Sequence, residues 1–141
     1  VQAGHRSVPH TADSRIEAWA PTFEECVAEA VTAMVETFAD VSKARPTDTA
    51  SFELAEDTDV DTLVDVLDEV IYLMDTADVI PLATRVERRR EGHEAGYEVV
   101  FDVCGLDQVE VIGAVPKAVS LHGLRLDETP EGWTCSVTLD V

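Results

Sequence analysis

The stretch His10-Thr11-Ala12-Asp13 sets an imidazole, a hydroxyl and a carboxylate within four residues, and Leu139-Asp140-Val141 puts a side-chain carboxylate beside the carboxylate of a chain ending at Val141. Carboxylate oxygens are hard donors suited to calcium, magnesium or manganese, whereas a histidine among them tilts the choice toward zinc or another transition metal. Asp13 precedes one strand-like segment and Asp140 ends another, so the two ends could hold a divalent ion if the fold brings them together. Local sequence equally allows a plainer account, in which Asp13 caps a turn and Asp140 is a frayed terminal charge.

The elements that must position these groups follow from periodicity. Ser14 to Ala20 alternates with period two, which predicts a half-buried strand with Ile16, Ala18 and Ala20 on one face. Pro21-Thr22 breaks it, and Thr22 with Glu25 three residues on is a capping box opening a helix from Phe23 to about Ala39. Val27, Val31, Met34 and Phe38 make its apolar stripe. Asp40 to Asp48 reads as a connection, and Thr49 to Ala55 as a strand with Phe52 and Leu54 on one face. After the acidic run Glu56 to Asp61 a second helix carries Leu63, Leu67, Val70, Ile71 and Met74 on one side, with Pro81 helping to close it. Acidic residues in its first half suit the positive end of the helix dipole.

Residues 82–104 read as a hairpin with a turn at Gly92 to Gly96. Gly105 to Gly113 reads as a loop. Three extended segments then remain, Lys117 to His122, Leu124 to Glu128 and Trp133 to Val141, separated by Gly123 and by Pro130-Glu131-Gly132. In the last, Trp133, Cys135, Val137 and Leu139 alternate with Asp140 and the other polar residues, so Asp140 points away from the apolar face. Two helices among six or seven strands, with strands dominating the second half, predict an α+β fold. A single domain over residues 1–141 is expected, its two helices on one face of a mostly antiparallel sheet.

Composition narrows the function. At 141 residues and 45% hydrophobic the chain can bury one sizeable core. It holds no run of about 18 apolar residues to span a bilayer and no basic-then-apolar secretory pattern, so a soluble, cytoplasmic protein is expected. Ten basic residues against 29 acidic ones leave a net charge of −19, which repels phosphates and acidic membranes. Autonomous nucleic-acid binding is therefore not expected. Lys43 and Lys117 are the only lysines, and such a surface fits a salt-loving source, because molar salt shortens the Debye length to about 3 Å.

Three further groups need weighing. Asp57-Thr58-Asp59-Val60-Asp61 resembles the start of a calcium loop, but Thr62 stands where that loop needs glycine and Asp68 where it needs a bidentate glutamate. An acidic helix start explains it better. Arg85, Arg88, Arg89 and Arg90 reverse the local charge and could meet a phosphate or an acidic partner, although a strand kept soluble by charge is the commoner meaning. Cys26, Cys104 and Cys135 lack metal spacing and read as core thiols, with a nucleophilic role for Cys135 the less common alternative.

The run Lys117-Ala118-Val119-Ser120-Leu121-His122-Gly123-Leu124, then Gly132-Trp133 and the terminal Leu139-Asp140-Val141, resembles the archease family. So do His10-Thr11-Ala12-Asp13, Ile16-Glu17-Ala18-Trp19, Thr22-Phe23-Glu24-Glu25 and Ile71-Tyr72-Leu73-Met74-Asp75-Thr76, in order and spacing across nearly the whole chain. The resemblance implies a non-enzymatic cofactor protein of the RtcB-type tRNA-splicing ligase, which promotes the ligase's guanylylation from GTP, allows repeated turnover and can widen nucleotide choice. It implies a divalent ion, calcium foremost with magnesium or manganese as alternatives, held by Asp13, Asp140 and Val141. His10, Lys117 and His122 match positions near that site. Nucleotide and RNA would be met through the ligase. Ser14-Arg15 and the segment from Cys104 to Gly113 depart from the family pattern. Two other functions compete: a stand-alone metal-dependent phosphohydrolase with His10 or His122 as base, and a general chaperone-like binding module.

Overall fold

The computed structural model describes residues 2–8, 14–89 and 95–141. Its strands are β1 (Gly4–Val8), β2 (Ser14–Ala20), β3 (Ala39–Asp40), β4 (Asp48–Ala55), β5 (Val79–Arg89), β6 (Gly96–Gly105), β7 (Glu110–Val111), β8 (Ala118–Thr129) and β9 (Gly132–Asp140). Two helices, α1 (Phe23–Glu36) and α2 (Asp59–Ala77), and a 3-10 turn at Leu106–Gln108 complete the described elements. The α+β class and the two-helix, antiparallel plan hold.

The strands form three antiparallel sheets, ordered β1-β2-β9-β8, β4-β6-β5 and β3-β7. Here the structure refines the single sheet expected from the sequence. Helix α1 packs against β2 and β5, and α2 against β8 and β5, so each helix touches both larger sheets. A narrow stripe would not serve that position. Cys26, Ala30, Ala33 and Val35 are buried along with the expected Val27, Val31 and Met34, giving α1 an apolar arc wide enough for two contacts. Each fully buried aliphatic side chain contributes about 1.5–3 kcal/mol, and Ile16, Val27, Leu63, Leu67, Val99, Phe101 and Leu139 are all inaccessible to solvent.

Local boundaries have local causes. The Thr22 hydroxyl oxygen accepts the Glu25 amide at 3.2 Å and its hydroxyl donates to the Glu25 carboxylate at 3.0 Å, so Thr22 caps α1 as expected, with Glu25 bonding the Thr22 side chain. That helix stops at Glu36, three residues short of the expected Ala39, because Ala39–Asp40 leaves to pair with Glu110–Val111. Gly105 to Gly113 is correspondingly not a plain loop: it holds the 3-10 turn and β7. Thr58 caps α2 through the Asp61 amide at 3.1 Å, and Asp78 ends it in the left-handed region at φ 54°. Pro81, assigned from the sequence to closing that helix, is instead buried within β5 beside a register shift. Gly123, at φ 74°, does not divide two strands but sits in a bulge of one continuous β8 between Ser120 and Arg125.

Candidate metal centre

Strand β9 lies between β2 and β8, and its alternation aims Cys135, Val137 and Leu139 into the core. With Leu139 fully buried, the next side chain along a strand must face outward, and Asp140 is exposed. Ser14 pairs with Leu139, so the residue that follows Asp13 lies beside the residue that precedes Asp140. On the other flank Ala118 pairs with Asp140, and the Lys117 amide donates to the Asp140 carbonyl at 2.7 Å. The end of β9 thus meets the beginnings of β2 and β8. Antiparallel pairing with each neighbour requires that meeting.

Asp13 and His10 lie outside the described residues. Asp140 and Val141 supply the described oxygen donors at this end, and both are solvent-accessible, Val141 at 37%. This donor set is hard and leaves room for water ligands, which fits calcium, magnesium or manganese better than zinc. Among the described residues no cluster of three or more histidines, cysteines or acids is arranged to hold a metal, so an ion there also needs the opening motif. Lys117 adjoins Asp140 in the backbone. His122 does not: it stands in the β8 bulge, exposed, its amide donating to the Ser120 hydroxyl at 3.3 Å. Ala118 is the β8 residue opposite Asp140, which leaves His122 four positions further along, on the order of 10 Å at strand rise.

The other candidates resolve into structure. Asp57 to Asp61 forms a capped helix start, with the Thr58 amide donating to Asp57 at 2.8 Å. Arg88 lies 3.5 Å from Glu56 and 4.0 Å from Glu24, with its guanidinium over the Tyr97 ring at 4.8 Å. Arg89 meets Glu53 at 3.2 Å, while Arg90 lies outside the described residues. All three cysteines are free and buried. A contact with Cys135 together with burial pushes the Cys26 thiol far above its ordinary range, and the same contact with Cys26 holds the Cys135 thiol below its own; Cys135 is nonetheless only 4% exposed, within the core.

One arrangement was invisible in the sequence. His5 on β1 places Nδ1 2.6 Å from Glu29 and Nε2 2.6 Å from Glu36, both on α1. Partners 24 and 31 residues away carry no local spacing signal.

The fold defines a small α+β protein in which the inner strand β9 carries Asp140 between two strand starts. A family model described as Archease protein family (MTH1598/TM1083) matches residues 5–141. An archease of Mycobacterium tuberculosis is 48% identical over 141 residues, covering 100% of this chain and 76% of that protein, and one of Pyrobaculum neutrophilum is 25% identical over 99% of this chain and 96% of its own length. The solution structure of Methanobacterium thermoautotrophicum protein 1598 superposes with a TM-score of 0.72 at 23% identity, covering 98% of this chain and 99% of that one. A Thermotoga maritima crystal structure described as an archease, possible chaperone, superposes with a TM-score of 0.66 at 22% identity, covering 95% and 94%. The chain belongs to the archease family.

Proposed function

We propose that this protein is the accessory factor of an RtcB-type tRNA-splicing ligase, promoting guanylylation of the ligase and its repeated turnover, and that it does so with a divalent ion held by Asp13, Asp140 and Val141. Calcium is the foremost candidate, with magnesium or manganese as alternatives. Family membership across residues 5–141 supports the reading. The observation that carries the site is the Ser14–Leu139 register, which brings the residue after Asp13 alongside the residue before Asp140. A bound divalent ion supplies positive charge that polarises a phosphoryl oxygen. The chain's part is to offer exposed oxygens at the end of a strand anchored by Leu139, with Lys117 and the flanking strands fixing the direction in which they point. A net charge of −19 agrees with RNA being met through the ligase and not by this chain. The setting is the cytoplasm.

The test is the rate of guanylylation of the cognate ligase from GTP, with and without this protein, in calcium, magnesium or manganese. Stimulation by the wild-type chain that disappears in Asp13→Ala and Asp140→Ala is expected; a ligase rate indifferent to the wild-type chain would reject the reading. A chaperone-like role is the second reading, favoured by the exposed side chains of Val111, Ile112 and Leu121. It predicts binding of several unfolded clients that survives loss of both aspartates.

A further inference from the structure

Beside the acidic chain end lies a hollow of about 460 Å³ between α2 and the segment from Leu106 to Lys117. Ile71 and Met74 line it from α2, Leu106, Val115 and Pro116 from the opposite wall, and Asp75 and Lys117 are its charged lining residues. The same segment turns large apolar side chains toward water: Val111 is 53% exposed, Ile112 60% and Val115 41%. Scattered exposed apolar residues need no explanation, but three on one short segment, of which Val115 lines the hollow itself, mark a binding surface.

The segment is held out, not loosely collapsed. The Leu106 amide donates to the Asp78 carbonyl at 2.8 Å, the Ile112 amide to Phe38 at 2.7 Å, and the Lys117 amide to Asp140 at 2.7 Å. Gly113 approaches α1's end so closely that a Cβ there would lie 2.6 Å from the Thr37 carbonyl oxygen. A backbone pinned at these points presents Ile112 and Val115 in fixed positions, which lowers the ordering cost of binding.

Charge identifies the occupant. Asp75 lines the hollow, and Asp78, Asp107 and Glu110 belong to the segments that frame it, against Lys117, on a chain of net charge −19. A nucleic acid or a second copy of this chain would be repelled. We propose that this hollow is the docking socket for a protein partner that inserts an aliphatic or aromatic side chain flanked by arginine or lysine. The identity of that partner as the ligase rests on the function proposed above; the socket and its chemistry do not. Lys117 lines the socket, and its amide bonds the Asp140 carbonyl, so the socket adjoins the strand end that carries Asp140.

The test follows the side-chain methyl NMR signals of the full chain during titration with the ligase, and separately with a basic amphipathic lysine–leucine peptide and its glutamate–leucine counterpart. Ile112→Asp and Val115→Asp change exposed residues, and unchanged signals from Leu67 and Leu139 establish that each variant is folded. Expected are shifts at Ile71, Met74 and Val115 on adding the ligase or the basic peptide but not the acidic one, and a Kd raised about tenfold or more in both variants. A ligase that binds wild type and both variants equally overturns the socket and leaves the ligase function standing. A ligase that does not bind, with the basic peptide still shifting the socket methyls, overturns the ligase function and leaves the socket standing. Socket methyls unmoved by either probe, or shifting on concentration of the protein alone, overturn the socket.

Discussion

The backbone amide of Lys117 donates to the carbonyl of Asp140 at 2.7 Å, and this bond ties the wall of an apolar hollow to the acidic end of the central strand. Lys117 immediately precedes β8, whose first residue, Ala118, pairs with Asp140. The hollow and the acidic strand end are thus one residue apart through the backbone at Lys117.

The chain end makes a metal prediction independent of any ligase. Asp140→Asn and Asp13→Asn should each lower calcium or manganese affinity about tenfold or more, because each removes an anionic oxygen. Isothermal titration checks this, with circular dichroism confirming that the fold is kept. Unchanged affinity in both variants would remove the site from this end of the chain.

His5 should couple stability to pH. Burial by itself would lower its pKa, but the hydrogen bonds and negative charge of Glu29 and Glu36 raise it above the ordinary histidine value. With both ring nitrogens 2.6 Å from carboxylate oxygens, each must donate, so the bound form is the imidazolium. A pKa raised by folding gives stabilisation that is complete below the unfolded value of about 6.5 and is lost as pH rises through the folded value. The stability difference between wild type and His5→Gln, from urea unfolding, should therefore shrink as pH rises above about 6.5. A constant difference would show that the histidine is not charged there.

The helix ends predict opposite signs. Thr58→Ala should cost about 1 kcal/mol, since it strips the Asp61 amide of its acceptor. Asp78→Gly should add about 0.5–1 kcal/mol by relieving a left-handed backbone at φ 54°. Chemical denaturation measures both.

The arginines of β5 should not bind RNA. Arg88 and Arg89 face Glu24, Glu53 and Glu56, so their charge is matched within the protein. Fluorescence anisotropy with a labelled single-stranded RNA at physiological salt should show no binding, and Arg85→Ala should change nothing. Saturable binding lost in that variant would restore the phosphate-contact alternative.

Added salt should raise the melting temperature. Burial, then the charges of Asp61 and Asp57, push the Asp65 carboxyl above its ordinary value, a local sign of repulsion across a chain of net charge −19. Molar potassium chloride shortens the Debye length to about 3 Å and screens that repulsion. Calorimetry in low and molar salt makes the comparison, and a melting temperature that falls would contradict it.

Much of this architecture was legible before any coordinates. Period-two alternation placed β2 at Ser14 to Ala20 with Ile16, Ala18 and Ala20 inward, and those three are 0%, 1% and 0% exposed. The Thr22–Glu25 spacing located the start of α1, and alternation in the last strand sent Asp140 outward, because both patterns depend only on residues a few positions apart. Periodicity says which side of an element is buried but not what covers it. The division of the strands into separate sheets, the pairing of Ala39–Asp40 with Glu110–Val111, the irregular β8–β9 register around His122, and the clasp of His5 by Glu29 and Glu36 join residues distant in the chain. Such contacts are chosen by the packing of whole elements. Sequence alone determined the residue types at the two ends and the strands that bear them, while only the tertiary structure set Ser14 beside Leu139 and Lys117 beside Asp140, because strand register is fixed by which faces the core can bury together.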